Sequence, residues 1–411
     1  MTVKGEAMQS REVRAMPAPS SRAGAIVIGG DYRSLGVVRS LGRHGIPVWV
    51  LIDTHLVAAT SRYSCRNLPW PQLDEGHQLE YLLALAERYD LDQWSIYPSG
   101  DEAVALLARH HDRLSERYLL TTPSWDVIRW FYDKRQTYQL AAEVGVDYPW
   151  TRYPRNREET AALDCEFPVI LKPALKESMN PFTAAKAWRV NDRAALLARY
   201  DEARRLVDPE LIMVQELIPG GGDGQVAYAS LCLDGRPLAS AVTGNNRQWP
   251  LDFGRASSYA ETIEHEEVEM AAQRLLAAVR YTGLAQIQFK FDFRDGRYKL
   301  LDINPRVWGT HTLCRHAGID FPYLLWRLLH GETVEKVRAT PGVRWVRMAT
   351  DIPAVLRQLR AGQLSLGAYL HSLRGPLGFA IFASDDLLPA LLDVPLAFYS
   401  PLRRRYFQRD R

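Results

Sequence analysis

Residues Gly283 to Arg306 read Gly-Leu-Ala-Gln-Ile-Gln-Phe-Lys-Phe-Asp-Phe-Arg-Asp-Gly-Arg-Tyr-Lys-Leu-Leu-Asp-Ile-Asn-Pro-Arg. Ala285 to Phe293 alternates small or apolar with polar residues. Arg294-Asp295-Gly296-Arg297 carries an Asp-Gly turn signal, and Tyr298 to Ile303 returns as a second strand. At its far end stand Asp302 and Asn304, two apart and therefore on one face of a strand. Gln288 lies on the partner strand, within reach of that face. Oxygen ligands converging from adjacent strands suit a hard cation such as Mg²⁺, which few protein groups hold together with substrate phosphates. Arg306 follows where it can meet an anion beside the metal. The plainer alternative is an ordinary hairpin with a surface Asp and a capping Asn, so the rest of the chain has to decide.

At 411 residues the chain predicts two to three domains. A formal charge of +3 is close to neutral for that length, and basic residues do not recur with aromatics, which argues against a nucleic-acid partner. Cys65, Cys165, Cys232 and Cys314 are scattered, as expected of a reducing cytoplasm rather than a disulfide framework or zinc site. No apolar run is long enough for a transmembrane segment. Residues 1–22 lack an apolar signal core and read as a flexible tail.

Ala25 to Gly30, a helix pattern over Ser34 to His44, and Pro47 to Ile52 followed by Asp53 form a β-α-β unit. Its turn, Gly29-Gly30-Asp-Tyr-Arg-Ser-Leu-Gly36, places the glycines wrongly for a dinucleotide pyrophosphate, so a nicotinamide-dependent oxidoreductase is disfavoured. Trp94 to Pro98 is another strand, and Asp101 reads chiefly as a cap on the helix Ala103 to His110, with substrate contact as the alternative. Lys134 stands on a helical pattern ending at Gly145. Phe167-Pro-Val-Ile-Leu-Lys172-Pro ends an apolar strand with a lysine that packing explains poorly, a point charge suited to phosphate oxygens. Leu211 to Glu216 is a buried strand running through Leu217 and Ile218 into Pro219-Gly220. Gln225 to Leu233 and Pro237 to Thr243 pair around Asp234-Gly235. The segment Gly244 to Pro250 reads as a loop containing Arg247, and Glu264 to Arg280 as an amphipathic helix.

At Asp302-Ile303-Asn304-Pro305-Arg306, and in the order of the preceding lysines and hinge strand, the sequence resembles the ATP-grasp superfamily of carboxylate–amine ligases. The likeness extends to the ATP-binding domains of carbamoyl-phosphate synthase large subunits and spans roughly residues 24–330. It implies an α/β fold in which a Rossmann-like domain, residues 23–122, precedes a two-lobed ATP-grasp domain, residues 123–330, with a lid over about 145–215. Residues 331–411 are expected as a helical extension. The resemblance further implies that Lys134 and Lys172 bind ATP phosphates under a loop containing Ser178. Gln215, Glu216, Leu217 and Ile218 would read adenine by backbone groups, and Asp223 would take the ribose hydroxyls. Asp302, Asn304 and Gln288 would hold Mg²⁺, with Mn²⁺ as the alternative ion, and Arg306 and Arg247 would stabilise the acyl phosphate. Two departures stand out. Gln288 replaces the usual Glu, and the loop Ala174 to Pro181 contains no glycine. The implied reaction is ATP-dependent amide formation between small-molecule carboxylate and amine substrates. An ATP-binding regulatory or scaffold protein that has lost ligation is the alternative. Homodimer formation is left open, and the basic, aromatic end from Leu402 to Arg411 reads as a solvated tail, with an anionic lipid surface as its other partner.

Overall fold

The computed structural model describes residues 23–175, 180–185, 187–220, 222, 224–250 and 256–396. Ser178, Asp223, the leading tail and the basic end from Leu402 lie outside the described residues.

The first sheet is parallel, with strands β1 (Ala25–Ile28), β2 (Val48–Ile52), β3 (Ser64–Pro69), β4 (Ser95–Pro98) and β5 (Leu119–Leu120) in the order β3-β2-β1-β4-β5. β1 and β4 are buried along their whole length, which is why each reads as a short, nearly continuous apolar run. The chain turns sharply after β1. A Cβ on Gly30 would lie 1.9 Å from the carbonyl oxygen of His55, so only glycine fits there. Asp31 then caps the helix Tyr32–Arg43, accepting from the backbone N–H groups of Arg33 and Ser34.

A second, antiparallel sheet lies within the expected lid: β6 (Thr151–Arg152), β7 (Val169–Pro173), β8 (Trp188–Val190) and β9 (Ile212–Glu216), ordered β6-β9-β7-β8. It closes its own small core around Val169, Leu171, Phe182, Leu196, Tyr200 and Val214.

The large sheet holds β10 (Gln225–Leu233), β11 (Arg236–Trp249), β12 (Ala256–Ile263), β13 (Gly283–Asp292), β14 (Arg297–Asn304), β15 (Val337–Arg338), β16 (Arg344–Val346) and β17 (Leu377–Phe379). The order is β14-β13-β10-β11-β12-β16-β17, with β15 beside β11. One face packs on the helix Glu266–Ala278, where Val268, Ala272, Leu275 and Leu276 meet Tyr228, Ile287 and Phe289. On the opposite face β13 presents Gln286, Gln288 and Lys290, whereas Leu231, Ala239 and Leu284 further along join the apolar core shared with the first sheet. Two expectations are corrected. Gly244 to Trp249 is no loop but the end of β11, because β12 pairs with it as far as Trp249. The segment after residue 331 is not purely helical, since β15, β16 and β17 join the large sheet. The helices Met348–Arg360 and Leu366–Ser372 fill the intervening chain. Among the described residues no helix is long and apolar enough to cross a membrane.

Candidate active site

A cavity of about 600 Å³ lies between the small antiparallel sheet and the polar part of that face of the large sheet. Lys134, Lys172, Gln215, Glu216, Leu217, Ile218, Gln288 and Asp302 all line it. Residues from 134 to 302 in the chain are thus brought to one place because β7 and β9 face β13 and β14 across the gap.

The cationic end is built on the helix Lys134–Glu143. Asp133 caps that helix, and the Lys134 N–H reaches the carbonyl of Ala174 at 3.2 Å. Lys134 Nζ donates to Asp302 Oδ1 at 2.6 Å. Burial alone would pull this ammonium down, but the carboxylate of Asp302, with Tyr138 and Asp101 nearby, lifts it above the ordinary lysine value. Tyr138, one turn along the same helix, was not singled out by the sequence and is the hub beneath both lysines. Its hydroxyl donates to Leu301 O at 3.2 Å and accepts from Lys172 Nζ at 3.4 Å and Gln215 Nε2 at 3.0 Å. Burial pushes the phenol up to about 12, only partly offset by Lys134, so it remains a proton donor at neutral pH. The i, i+4 spacing from Lys134 was the available signal. Gln215, although it lines the cavity, spends its amide on Tyr138 and Thr151.

The hinge end is held by charge. Glu216 Oε1 accepts from the Trp150 N–H at 2.9 Å and Lys299 Nζ at 3.0 Å, and Oε2 from Arg294 Nη2 at 2.5 Å. Lys299 and Arg294 both also bond the buried carboxylate of Asp292. The Arg294 hydrogen bond, together with Lys299, outweighs burial and holds the Asp292 carboxyl well below the usual range. The Glu216 side chain therefore ties the small sheet to the hairpin. Lys290, also overlooked, is 5% exposed, lines the cavity and donates to Ile218 O at 3.0 Å. Its period-two spacing from Gln286 and Gln288 could have revealed it.

On the hairpin, Gln288 pairs with Asp302 and Gln286 with Asn304, which puts all four side chains on one face as the spacing predicted. Gln288 Nε2 and Asn304 Nδ2 both donate to Gln286 Oε1, at 3.1 and 3.3 Å, so both amides direct their carbonyl oxygens elsewhere. Asn304 Oδ1 accepts from Arg306 Nη2 at 3.1 Å. Among the described residues no group of three or more His, Cys, Asp or Glu side chains could hold a metal ion. One carboxylate and two amide oxygens are a meagre set alone, but they suit a cation whose remaining ligands are phosphate oxygens.

Asn304 and Arg306 stand just outside the cavity lining. Arg306 Nε donates to Asp101 Oδ1 at 2.7 Å. The expected cap role of Asp101 is corrected by this contact: Gly100 occupies the cap position, no side chain bonds there, and Asp101 turns to Arg306. Arg247 is not brought to the site. The pairing of β11 with β12 shifts register around it, Asn245 and Gln248 face the cavity, and Arg247 turns to the other side. There it forks onto Asp351 at 2.8 and 3.0 Å, donates to Ser372 Oγ at 3.0 Å and stacks on Tyr259.

A small antiparallel sheet faces the large sheet across one cleft, which is lined by two lysines, a carboxylate and the strand end from Gln215 to Ile218. The family model described as "ATP-grasp in the biosynthetic pathway with Ter operon" matches residues 250–351. The chain is 28% identical over 323 residues to the D-aspartate ligase of Enterococcus faecium (strain Aus0004), covering 72% of this chain and 74% of that protein. Its fold is similar to a crystal structure of the L-amino acid ligase from Bacillus licheniformis, with a TM-score of 0.58, 16% identity and 75% of each chain covered. It is also similar to the biotin carboxylase domain of Hydrogenobacter thermophilus 2-oxoglutarate carboxylase, solved with MgADP, with a TM-score of 0.61, 15% identity, and 78% of this chain and 73% of that chain covered.

Proposed function

We propose that the protein is an ATP-dependent ligase that joins a carboxylate to an amine through an acyl phosphate, on an amino acid or a small peptide. The observation that carries this is the single cavity in which Lys134, Lys172, Asp302 and the hinge from Gln215 to Ile218 converge. The names of the D-aspartate ligase and L-amino acid ligase relatives support amino acids as the substrate class.

ATP would lie with its base at the hinge strand and its phosphates toward the two lysines. Lys172 binds phosphate oxygens, and Lys134 does the same on leaving Asp302. Tyr138 holds Lys172 in place. Asp302, Asn304 and Gln288 would hold Mg²⁺, which neutralises charge on the transferred phosphoryl group when bound. The carboxylate substrate attacks that group beside Arg306, whose guanidinium stabilises the acyl phosphate and the tetrahedral species formed when the amine adds. The lid, about residues 145–215, closes to keep water from the acyl phosphate. The reaction needs alignment and charge neutralisation more than acid–base groups, which agrees with a cavity rich in cations. We assign the reaction to the cytoplasm, where ATP is supplied.

ADP release is the test, measured with Mg–ATP over a panel of D- and L-amino acids offered as carboxylate and amine. A substrate pair that stimulates ADP release and yields an amide is expected, and Lys172→Ala and Asp302→Ala should abolish it while the protein stays folded. Unchanged turnover in both variants contradicts the assignment.

A further inference from the structure

We infer that the crevice where the first sheet reverses its strand order seats the amine substrate, with Asp101 receiving its ammonium group. The inference rests on the ligase function proposed above and names a residue and a binding place for its second reactant.

The strand order of the first sheet reverses between β1 and β4, which run parallel. In open parallel sheets the crevice beyond the carboxyl ends of such a strand pair is where ligands sit, because the two following loops diverge there. Here those loops are Gly29 to Asp31 and Ser99 to Gly100, and the helices that follow carry Arg33 and Asp101 in their first turns. The segment after β14 closes over them. A Cβ on Gly309 would lie 2.5 Å from Tyr32 Oη, and one on Gly36 would lie 2.3 Å from His311 Nε2. The junction thus joins the first sheet directly to the Asn304-Pro305-Arg306 end of the hairpin.

Three buried polar atoms at this junction have no hydrogen-bond partner among the described residues: Ser34 Oγ, Thr310 Oγ1 and His311 Nε2. Their residues are 0%, 3% and 2% exposed. Buried polar atoms are ordinarily satisfied, and several orphans at one junction point to a polar occupant. The charges alternate. Asp31 pairs with Arg33 at 2.6 Å and Asp101 with Arg306 at 2.7 Å. Asp101 is also close enough for its charge to act on both Arg33 and Lys134. Since Lys134 bonds Asp302, the crevice adjoins the phosphate end of the nucleotide cavity, where an amine must arrive. The Asp101 side chain is 42% exposed against 9% for Arg306, so the carboxylate is the accessible member of the pair.

The chemistry gives Asp101 its turn. An acyl phosphate carries two negative charges and competes for the Arg306 guanidinium. Asp101 then faces the incoming ammonium. As the C–N bond forms, the bond from the acyl carbon to the phosphate oxygen breaks. Of the two protons that the ammonium sheds, one leaves on the phosphate and one goes to solvent.

Hydroxylamine, uncharged at neutral pH, separates the two roles, because it traps an acyl phosphate as a hydroxamate without needing an anion to hold it. Full-length wild type and Asp101→Asn are supplied with Mg–ATP, with D-aspartate and each L-amino acid in turn as the carboxylate, and with either hydroxylamine or ammonium and amino acids as amines. The ratio of amide to hydroxamate is expected to fall about tenfold or more in Asp101→Asn, the size expected from losing one charge-assisted hydrogen bond. Asp101→Glu should recover part of it. Asp101→Ser serves as the second variant if Asp101→Asn folds poorly. An unchanged ratio with both products still formed overturns the inference while leaving the ligase assignment standing, and so does the loss of both products in a folded Asp101→Asn, because the effect then does not single out the amine. No hydroxamate and no ADP from the wild type with any carboxylate would instead remove the ligase assignment and this inference with it.

Discussion

Arg247 and Arg306 are both largely buried and each meets an aspartate, yet their surroundings differ. Arg247 forks onto both oxygens of Asp351, a side chain with 0% exposure that also accepts from Ser258, and is sandwiched by Tyr259 and Tyr369. Arg306 donates to Asp101, a carboxylate in the first turn of the helix Asp101–Arg109 and open to solvent. The first pair fastens the helix Met348–Arg360 to the large sheet and offers nothing to exchange. The second can trade partners. Burial of an arginine therefore does not distinguish a clamp from a working group. The exposure and connectivity of its partner do.

The comparison predicts a double dissociation. Arg306→Ala should lower kcat/KM by about a thousandfold, the scale of removing a cation from a developing charge, while the melting temperature stays within a few degrees. Arg247→Ala should do the reverse, costing about 3–5 kcal/mol because Asp351 is left buried without its counter-charge, as denaturant titration would show. Equal effects on both properties in both variants would erase the distinction. The hinge cluster offers a third, intermediate case. Asp292→Asn should cost about 2–3 kcal/mol, since Lys299 and Arg294 lose a shared anion. It should also alter the acid profile. The folded-state value of Asp292 is depressed, so its contribution is present above the ordinary aspartate value of 3.8 and disappears as pH falls through the folded value. Wild-type stability should accordingly fall below about pH 4 more steeply than that of the variant, by denaturation at stepped pH. Smallest is Ser372→Ala, about 1 kcal/mol, because the Arg247–Asp351 fork survives without it.

The hairpin was legible in the sequence because a strand has an unambiguous period. Asp302, Asn304 and Gln288 fell on one face by counting, and the β13–β14 register agrees. Lys172 was legible because a cation ending an apolar strand has no packing explanation. Arg247 was misplaced because Gly244 to Pro250 is polar and ends in Trp-Pro, a composition that looks like a loop; the ladder to β12 makes it strand, and only that ladder decides which way each side chain turns. Tyr138 and Lys290 escaped notice because their roles depend on partners far along the chain, Lys172, Gln215 and Ile218. Asp101 was read from its local neighbourhood as a cap. Its partner is 205 positions away, and no local pattern carries that pairing.

The central claim is that the cations of the lid and the carboxylate of the hairpin grip one triphosphate. Calorimetric titration of the wild type, Lys172→Ala and Asp302→Ala with ADP and a non-hydrolysable ATP analogue, each with Mg²⁺, tests it directly. Saturable binding by the wild type, weakened about tenfold or more in each variant and more for the ATP analogue than for ADP, is the predicted result. Equal affinity of all three proteins for both nucleotides would contradict it.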